Sequence, residues 1–278
     1  MFRTADGITL VADVAGSPDA PTVVLAHGGG QTRHSWKQLF MGLVNRGYSV
    51  VNYDARGHGD SDWAADGDYT IPALSRDLCT ILPTIKGPVA LVGASMGGAS
   101  AFYAIGSSPQ PIAKALIMVD IVPRPAKKGT DHIHAFMTAH PDGFETLEEA
   151  ADAVATYYPD RERPKDSTGL NKNLRASPDG RLRWHWDPAL LNANPSSEPP
   201  LFTEHMIGVA ARVTLPTLLI RGGRSDIVDE AGVAEMRALV PQTEVFEVPD
   251  AGHMVAGDRN DAFNEGVFAF LDRRLPLH

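Results

Sequence analysis

The sequence predicts an α/β architecture in which a mostly parallel central sheet is flanked by helices, with a mostly helical insertion. Three observations carry this. Short, wholly apolar runs alternate with helical patterns through the first 120 residues and again after residue 213. Those runs end in Gly-, Asp- or His-rich turns. Between the two halves lies a long stretch without any such run. Strands that are apolar on both faces are buried parallel strands, and alternation with helices covers both faces of the sheet.

The elements follow in order. Ile8 to Val14 alternates apolar and polar residues after Asp6-Gly7, which predicts an edge hairpin. Val23 to Ala26 is a buried strand closed by His27-Gly28-Gly29-Gly30, and Thr32 to Arg46 is a helix stopped by Gly47. Tyr48 to Tyr53 is the next strand, Ile71 to Ile85 a helix, and Val89 to Val92 a strand running into Gly93-Ala94-Ser95-Met96-Gly97-Gly98. A helix of small residues, Ala99 to Ile105, and the strand Ala115 to Val119 complete the first half, which ends at Asp120. From about Pro123 to Val213 no apolar strand run appears. Thr146-Leu147-Glu148-Glu149 has capping-box spacing and opens a helix through Tyr157. After the Pro178-Asp179-Gly180 turn, Leu182, Trp184 and Trp186 alternate. So long a stretch is no simple loop. It reads as a lid over residues 123–212, inserted in a core of residues 1–122 and 213–278. The core resumes with the strand Thr217 to Ile220, the helix Glu230 to Leu239, the strand Glu244 to Val248 and a helix from Asn260 to Leu271.

Composition narrows the function. Hydrophobic residues make up 43% and charged residues 21%, enough for a real core. The 25 Lys and Arg against 34 Asp and Glu give a net charge of −9, with no basic cluster, so no nucleic-acid partner is expected. An anionic substrate would need a local basic pocket to overcome that field. The single cysteine, Cys79, excludes an internal disulfide and a cysteine zinc site, and its helical context predicts a buried small residue. There is neither a leader-like apolar core at the start nor a membrane-length run, so a cytoplasmic protein without a membrane partner is expected. The sequence is silent on oligomeric state.

The chemistry concentrates at strand ends. Ser95 sits in Gly-x-Ser-x-Gly where a strand turns into a helix, a turn that only small neighbours permit and that pushes the hydroxyl outward. The helix aims free amides at any oxyanion formed there, which makes the Met96 amide one donor. The glycines after His27 free further amides. Gly29 is the second donor, with Gly28 and Gly30 beside the substrate, while His27 itself suits a structural hydrogen bond. A serine needs a base. Of the 10 histidines, His253 is the one placed just after the last strand, on the sheet edge that carries Ser95. Asp226, after the penultimate strand, is the favoured acid, and Asp120 is its rival. His132-Ile133-His134 lacks the companions of a metal site, and the glycine run lacks nucleotide-loop spacing, so neither metal nor cofactor is expected. In the lid, Phe136, Met137, Trp184 and Trp186 are candidates to line the substrate cavity, although a role in gluing the lid to the core would also suit them.

These pieces resemble the α/β-hydrolase superfamily over nearly the whole chain: His27-Gly28-Gly29-Gly30, Asp54 through Ser61, Gly93 through Gly98, Gly222 through Asp226, and Ala251-Gly252-His253. The resemblance implies the α/β-hydrolase fold and a serine triad in the order Ser, Asp, His. Gly-x-Ser-Met-Gly-Gly is similar to carboxylesterases, cofactor-free haloperoxidases and enol-lactonases. A carboxylic ester or lactone substrate is the first expectation. Perhydrolysis and C–C bond hydrolysis are alternatives, and a ligand sensor on the same fold is an alternative of another class. Ser95 stands where related epoxide hydrolases and haloalkane dehalogenases carry aspartate, which argues against both of those activities.

Overall fold

The computed structural model describes residues 1–158, 163, 165–192, 199–258 and 260–277. Its strands are β1 (Phe2–Arg3), β2 (Thr9–Leu10), β3 (Ala12–Ala15), β4 (Thr22–Ala26), β5 (Ser49–Tyr53), β6 (Val89–Ala94), β7 (Ala115–Val119), β8 (Leu174–Ala176), β9 (Leu182–Trp184), β10 (Thr217–Gly222) and β11 (Thr243–Val248). The helices are α1 (Lys37–Arg46), α2 (Ile71–Ile81), α3 (Met96–Ser107), α4 (Lys127–Thr138), α5 (Leu147–Tyr157), α6 (Ala189–Asn192), α7 (Pro199–Ala210), α8 (Glu230–Leu239), α9 (Val255–Asp258) and α10 (Asn260–Arg274). A seven-stranded sheet runs in the order β11-β10-β7-β6-β4-β5-β3. Only the edge strand β3 is antiparallel to its neighbour. The hydrolase-type α/β fold expected from the sequence is the fold found.

Residue alternation along the strands explains why both faces carry helices. Val24, Leu91, Met118 and Leu219 face one layer with α2, α3 and α8. Their sequence neighbours Val23, Leu25, Ala90, Val92, Ile117 and Ile220 face the other layer, with α1 and α10. Each strand thus serves two cores, which is why it reads as a continuous apolar run.

The opening hairpin is subtler than its alternation suggests. β1 pairs with β2 in a small separate sheet, while β3 turns onto the main sheet beside β5. Cys79 is exposed rather than buried. The core-facing residues of α2 are Ile71, Leu74, Leu78 and Ile81, and Cys79 falls one position, about 100°, round from Leu78.

Between β7 and β10 the chain forms α4, α5, a six-residue 3-10 turn (Thr168–Asn173), the antiparallel β8–β9 hairpin, α6 and α7. Thr146 caps α5 through the Glu149 amide, and Glu149 reaches back to the amide of Glu145. A small core of Phe144, Ala150 and Leu174 holds the hairpin on α5. Within the same stretch, α7 packs on α3: Met206, Val209 and Ala210 join the main core. Gly106 is glycine because a Cβ there would lie 2.6 Å from the Val209 carbonyl oxygen.

The turn after β5 anchors much of this edge. Arg56 is buried and bidentate on buried Asp77, with Nε–Oδ2 and Nη2–Oδ1 both at 2.6 Å. Fully buried Asp54 takes the Arg33 amide at 2.7 Å, the Asp60 amide at 2.9 Å and the Arg33 guanidinium.

Candidate active site

Ser95 lies between β6 and α3 with φ 45° and ψ −115°, a conformation that L-residues adopt rarely. Its surroundings explain the glycines. A Cβ on Gly93 would lie 2.4 Å from the Gly97 carbonyl carbon, and one on Gly97 would lie 2.3 Å from the Ala26 carbonyl oxygen. The β6 end, the first turn of α3 and the β4 end therefore touch backbone to backbone, and the serine is levered out of the sheet. It lies on the wall of a cavity of ≈ 330 Å³ that His253 also lines. The two face the same space with no direct hydrogen bond between them.

The carboxylate beside His253 is Asp120. His253 Nδ1–H donates to Asp120 Oδ2 at 2.8 Å, and Asp120 is fully buried. The Gly222 amide donates to Asp120 Oδ1 at 3.0 Å, and the Ser225 hydroxyl donates to Oδ2. Asp226, the acid favoured from sequence, is not at this point. It faces the inserted segment instead, where His132 Nδ1 lies 3.3 Å from its Oδ2 and both side chains are part-exposed. The reason is local. Asp120 directly follows β7, and the last residues of β6 and β7, Ala94 and Val119, are register partners. The next residues along, Ser95 and Asp120, are therefore neighbours on adjacent strand ends. Asp226 lies four residues past the end of β10, where the turn has already swung outward.

The glycine loop after β4 closes over the serine. A Cβ on Gly28 would come within 3.5 Å of Ser95 Cβ, and one on Gly29 within 4.0 Å of Met96 Sδ. Gly29, the predicted second oxyanion donor, thus lies beside the Met96 side chain. The Gly28 amide is already taken by Gln31 Oε1 at 3.1 Å. The amide of Met96, at the first helical position of α3, has no intrahelical acceptor.

Three buried histidines hold this loop, and the pattern of amide protons fixes their state. Ala55 N–H donates to His27 Nε2 at 3.0 Å, so His27 Nδ1–H faces the Gly28 carbonyl at 2.8 Å. Gly30 N–H donates to His58 Nε2 at 3.1 Å, leaving His58 Nδ1–H for the Arg56 carbonyl at 3.0 Å. Gly59 N–H donates to His185 Nδ1 at 2.8 Å, leaving His185 Nε2–H toward the Gly30 carbonyl at 3.3 Å. Each ring accepts one amide proton, so each is neutral. Burial agrees: it lowers the pKa of His27, lowers that of His58 further, and brings His185 down to about 4. His27 has the structural role expected of it. His185, from the inserted segment, carries no signal in the sequence, because a lone histidine between two tryptophans looks like packing.

The aromatic residues of the insertion gather over Gly30. Trp184 and Trp186 share a face and stack at 5.0 Å and 11°. Phe136 stacks on Tyr157 at 4.3 Å and meets Trp184 at 5.7 Å. A Cβ on Gly30 would meet Trp186 at 3.4 Å and Met137 at 3.5 Å. The cavity at Ser95 is lined by none of Phe136, Met137, Trp184 and Trp186. From the insertion it takes Lys172, and from the core Gln31, Trp36, Lys37 and Met254. These residues carry no motif. Among the described residues, no group of three or more His, Cys, Asp or Glu is disposed to hold a metal ion. No described helix is long and apolar enough to cross a membrane.

The model of the alpha/beta hydrolase family matches residues 23–265, a span that includes Ser95, Asp120 and His253. This chain belongs to that family. The hydrolase is 31% identical over 265 residues to the sn-1-specific diacylglycerol lipase of Mus musculus, covering 92% of this chain and 82% of the relative. It is 29% identical over 267 residues to an esterase of Mycobacterium tuberculosis, covering 92% and 84%. It is 27% identical over 272 residues to the 2-(acetamidomethylene)succinate hydrolase of Mesorhizobium japonicum, covering 97% and 95%. A crystal structure of an E-2-(acetamidomethylene)succinate hydrolase superposes with a TM-score of 0.83 at 25% identity, covering 97% of this chain and 98% of that one. Esterases and other hydrolases on this fold are therefore its relatives.

Proposed function

We propose that the protein hydrolyses a carboxylic ester or lactone through an acyl-enzyme on Ser95. The observation that carries this reading is the meeting, at one cavity, of a strained outward-facing Ser95 and a His253 whose Nδ1–H is held by Asp120. That hydrogen bond leaves Nε2 as the free basic nitrogen. Nε2 takes the Ser95 proton as Oγ attacks the carbonyl carbon, and Asp120 stabilises the resulting imidazolium. The oxyanion forms between the Gly29 and Met96 amides. His253 then gives its proton to the leaving alkoxide. Water repeats the sequence, releasing the acid and restoring Ser95. Oγ and Nε2 come into hydrogen-bonding range as substrate fills the cavity, since catalytic bonds of this kind tighten on binding. The part of the insertion that carries Lys172 flanks this site, while α7 belongs to the core. Names of relatives that include a lipase and an esterase support the ester class.

A fluorophosphonate probe and a series of 4-nitrophenyl esters and lactones test the reading. Peptide mapping should put the adduct on Ser95, and Ser95→Ala should remove both labelling and turnover while the fold persists. Steady multiple turnover separates an enzyme from a ligand sensor. An adduct on another residue, or turnover that survives Ser95→Ala, would overturn the assignment.

A further inference from the structure

The charge on the cavity wall specifies the substrate further, on the reading of Ser95 as nucleophile. In a chain with a net charge of −9, no aspartate or glutamate among the described residues lines the cavity at Ser95. Two lysines do. Lys37 is the first residue of α1, where the helix dipole adds the same sign. Lys172 comes from the 3-10 turn of the inserted segment. Both are exposed, and neither carries an ion pair among the described residues. Several nearby cations, by contrast, are committed. Arg33 holds Asp13, Asp54 and Asp60, and Arg175 holds Asp60. Gln31 and Gln38 add amides to the same wall. A cleft lined by one sign of charge concentrates ligands of the other sign, even against an unfavourable net charge.

We infer that the substrate is a small ester carrying a free carboxylate on its acyl chain, with the reacting carbonyl at Ser95 and the carboxylate at the mouth formed by Lys37 and Lys172. A volume of ≈ 330 Å³ is enough for a small ester, since small-molecule sites run from about 300 to 1,000 Å³. The lysines sit in water, so their effect is moderate and is screened by salt within a Debye length of roughly 10 Å at 0.1 M. An exposed charge pair is worth about threefold to fivefold in binding at most.

The experiment compares the mono-4-nitrophenyl ester of adipic acid with 4-nitrophenyl hexanoate, which has the same chain length without the carboxylate. The wild-type protein should favour the adipate ester in kcat/KM at low salt, and added salt should erode that preference. Lys37→Gln and Lys172→Gln should each lower the adipate-to-hexanoate ratio by about threefold to fivefold, chiefly through KM. Both positions are exposed, so folding is not at stake. Turnover of hexanoate with no preference for adipate, or a ratio that neither substitution moves, overturns the inference and leaves the Ser95 reading intact. Turnover of neither ester, with no labelling of Ser95, overturns both.

Discussion

His58 and His185 grip opposite ends of one residue. The amide of Gly30 donates to His58 Nε2 at 3.1 Å, and its carbonyl faces His185 Nε2 at 3.3 Å. One histidine belongs to the core turn after β5, the other to the stretch after the β8–β9 hairpin. The glycine loop after β4 is therefore set jointly by the core and the inserted segment.

Loosening that grip should reach the chemistry. His185→Ala leaves the Gly30 carbonyl and the Gly59 amide without their partner. The Gly29 amide should then sit less well for a developing oxyanion, lowering kcat more than it raises KM. Complete loss of an oxyanion donor costs about a hundredfold to a thousandfold, so a tenfold loss or somewhat more is expected for a displaced one. His185→Gln, which keeps a side-chain donor and acceptor, should recover part of it. Equal loss in both variants, or a change in KM alone, would reduce His185 to packing.

The same residue makes a prediction about acid. Its pKa in the folded protein is about 4, against roughly 6.5 for a free histidine. As pH falls, the unfolded chain takes up this proton first. The contribution of His185 to stability is therefore full above about pH 6.5, declines toward pH 4, and is flat below. The slope is about 1.4 kcal/mol per pH unit for one proton. Denaturant unfolding of wild type and His185→Gln across this range should show the wild-type advantage shrinking as pH falls. Parallel curves would mean that the ring titrates alike in both states.

Asparagine scanning separates the two aspartates. Asp120→Asn should cost on the order of ten-thousandfold in kcat, as a mis-set histidine tautomer does in serine triads. Asp226→Asn should leave the chemical step close to wild type, since its partner is His132 on the surface of the insertion. The opposite order would return the acid to Asp226.

The serine turn tolerates no extra atom. Gly93→Ala and Gly97→Ala each place a Cβ within 2.4 Å of backbone. Backbone cannot swing aside as a side chain can, so each should cost about 3 kcal/mol or more, beyond ordinary overpacking. Thermal melting checks this. By contrast Gly169→Ala, where a Cβ would meet nothing within 4 Å, should melt close to wild type.

The sheet is legible in the sequence because every central strand serves two cores. A run as short and as wholly apolar as Val23 to Ala26, closed by glycines, fits a strand buried on both faces. Ser95 is legible because its turn follows such a run, and His253 because its turn follows the last strand of the alternation. The acid is not. Asp120 and Asp226 both follow strands at the same edge, and choosing between them needs the register of β6 on β7, which only the assembled sheet supplies. The stagger that pairs Ala94 with Val119 is the missing signal. The insertion is legible as an interruption only. Phe136, Met137, Trp184 and Trp186 do cluster in space, but aromaticity does not say which side of Gly30 they cover. Lys37 and Lys172 are invisible because exposed lysines occur everywhere, and only the cavity between them gives them meaning.

The β8–β9 hairpin and the residues that follow it are sewn to the stretch after β5 by several threads. Besides the His185 contacts, Arg175 reaches the Gly59 carbonyl and Asp60, Tyr69 donates to Asp187, and the Asp187 amide donates to the Gly57 carbonyl at 2.9 Å. This limits how the protein can be taken apart. The segment is not a detachable module, and a trimmed core or a chimera bearing a borrowed insertion would inherit the serine turn intact but an orphaned Gly30 carbonyl. To exchange specificity by grafting, the cut should leave residues 174–187 in place and replace only what precedes them.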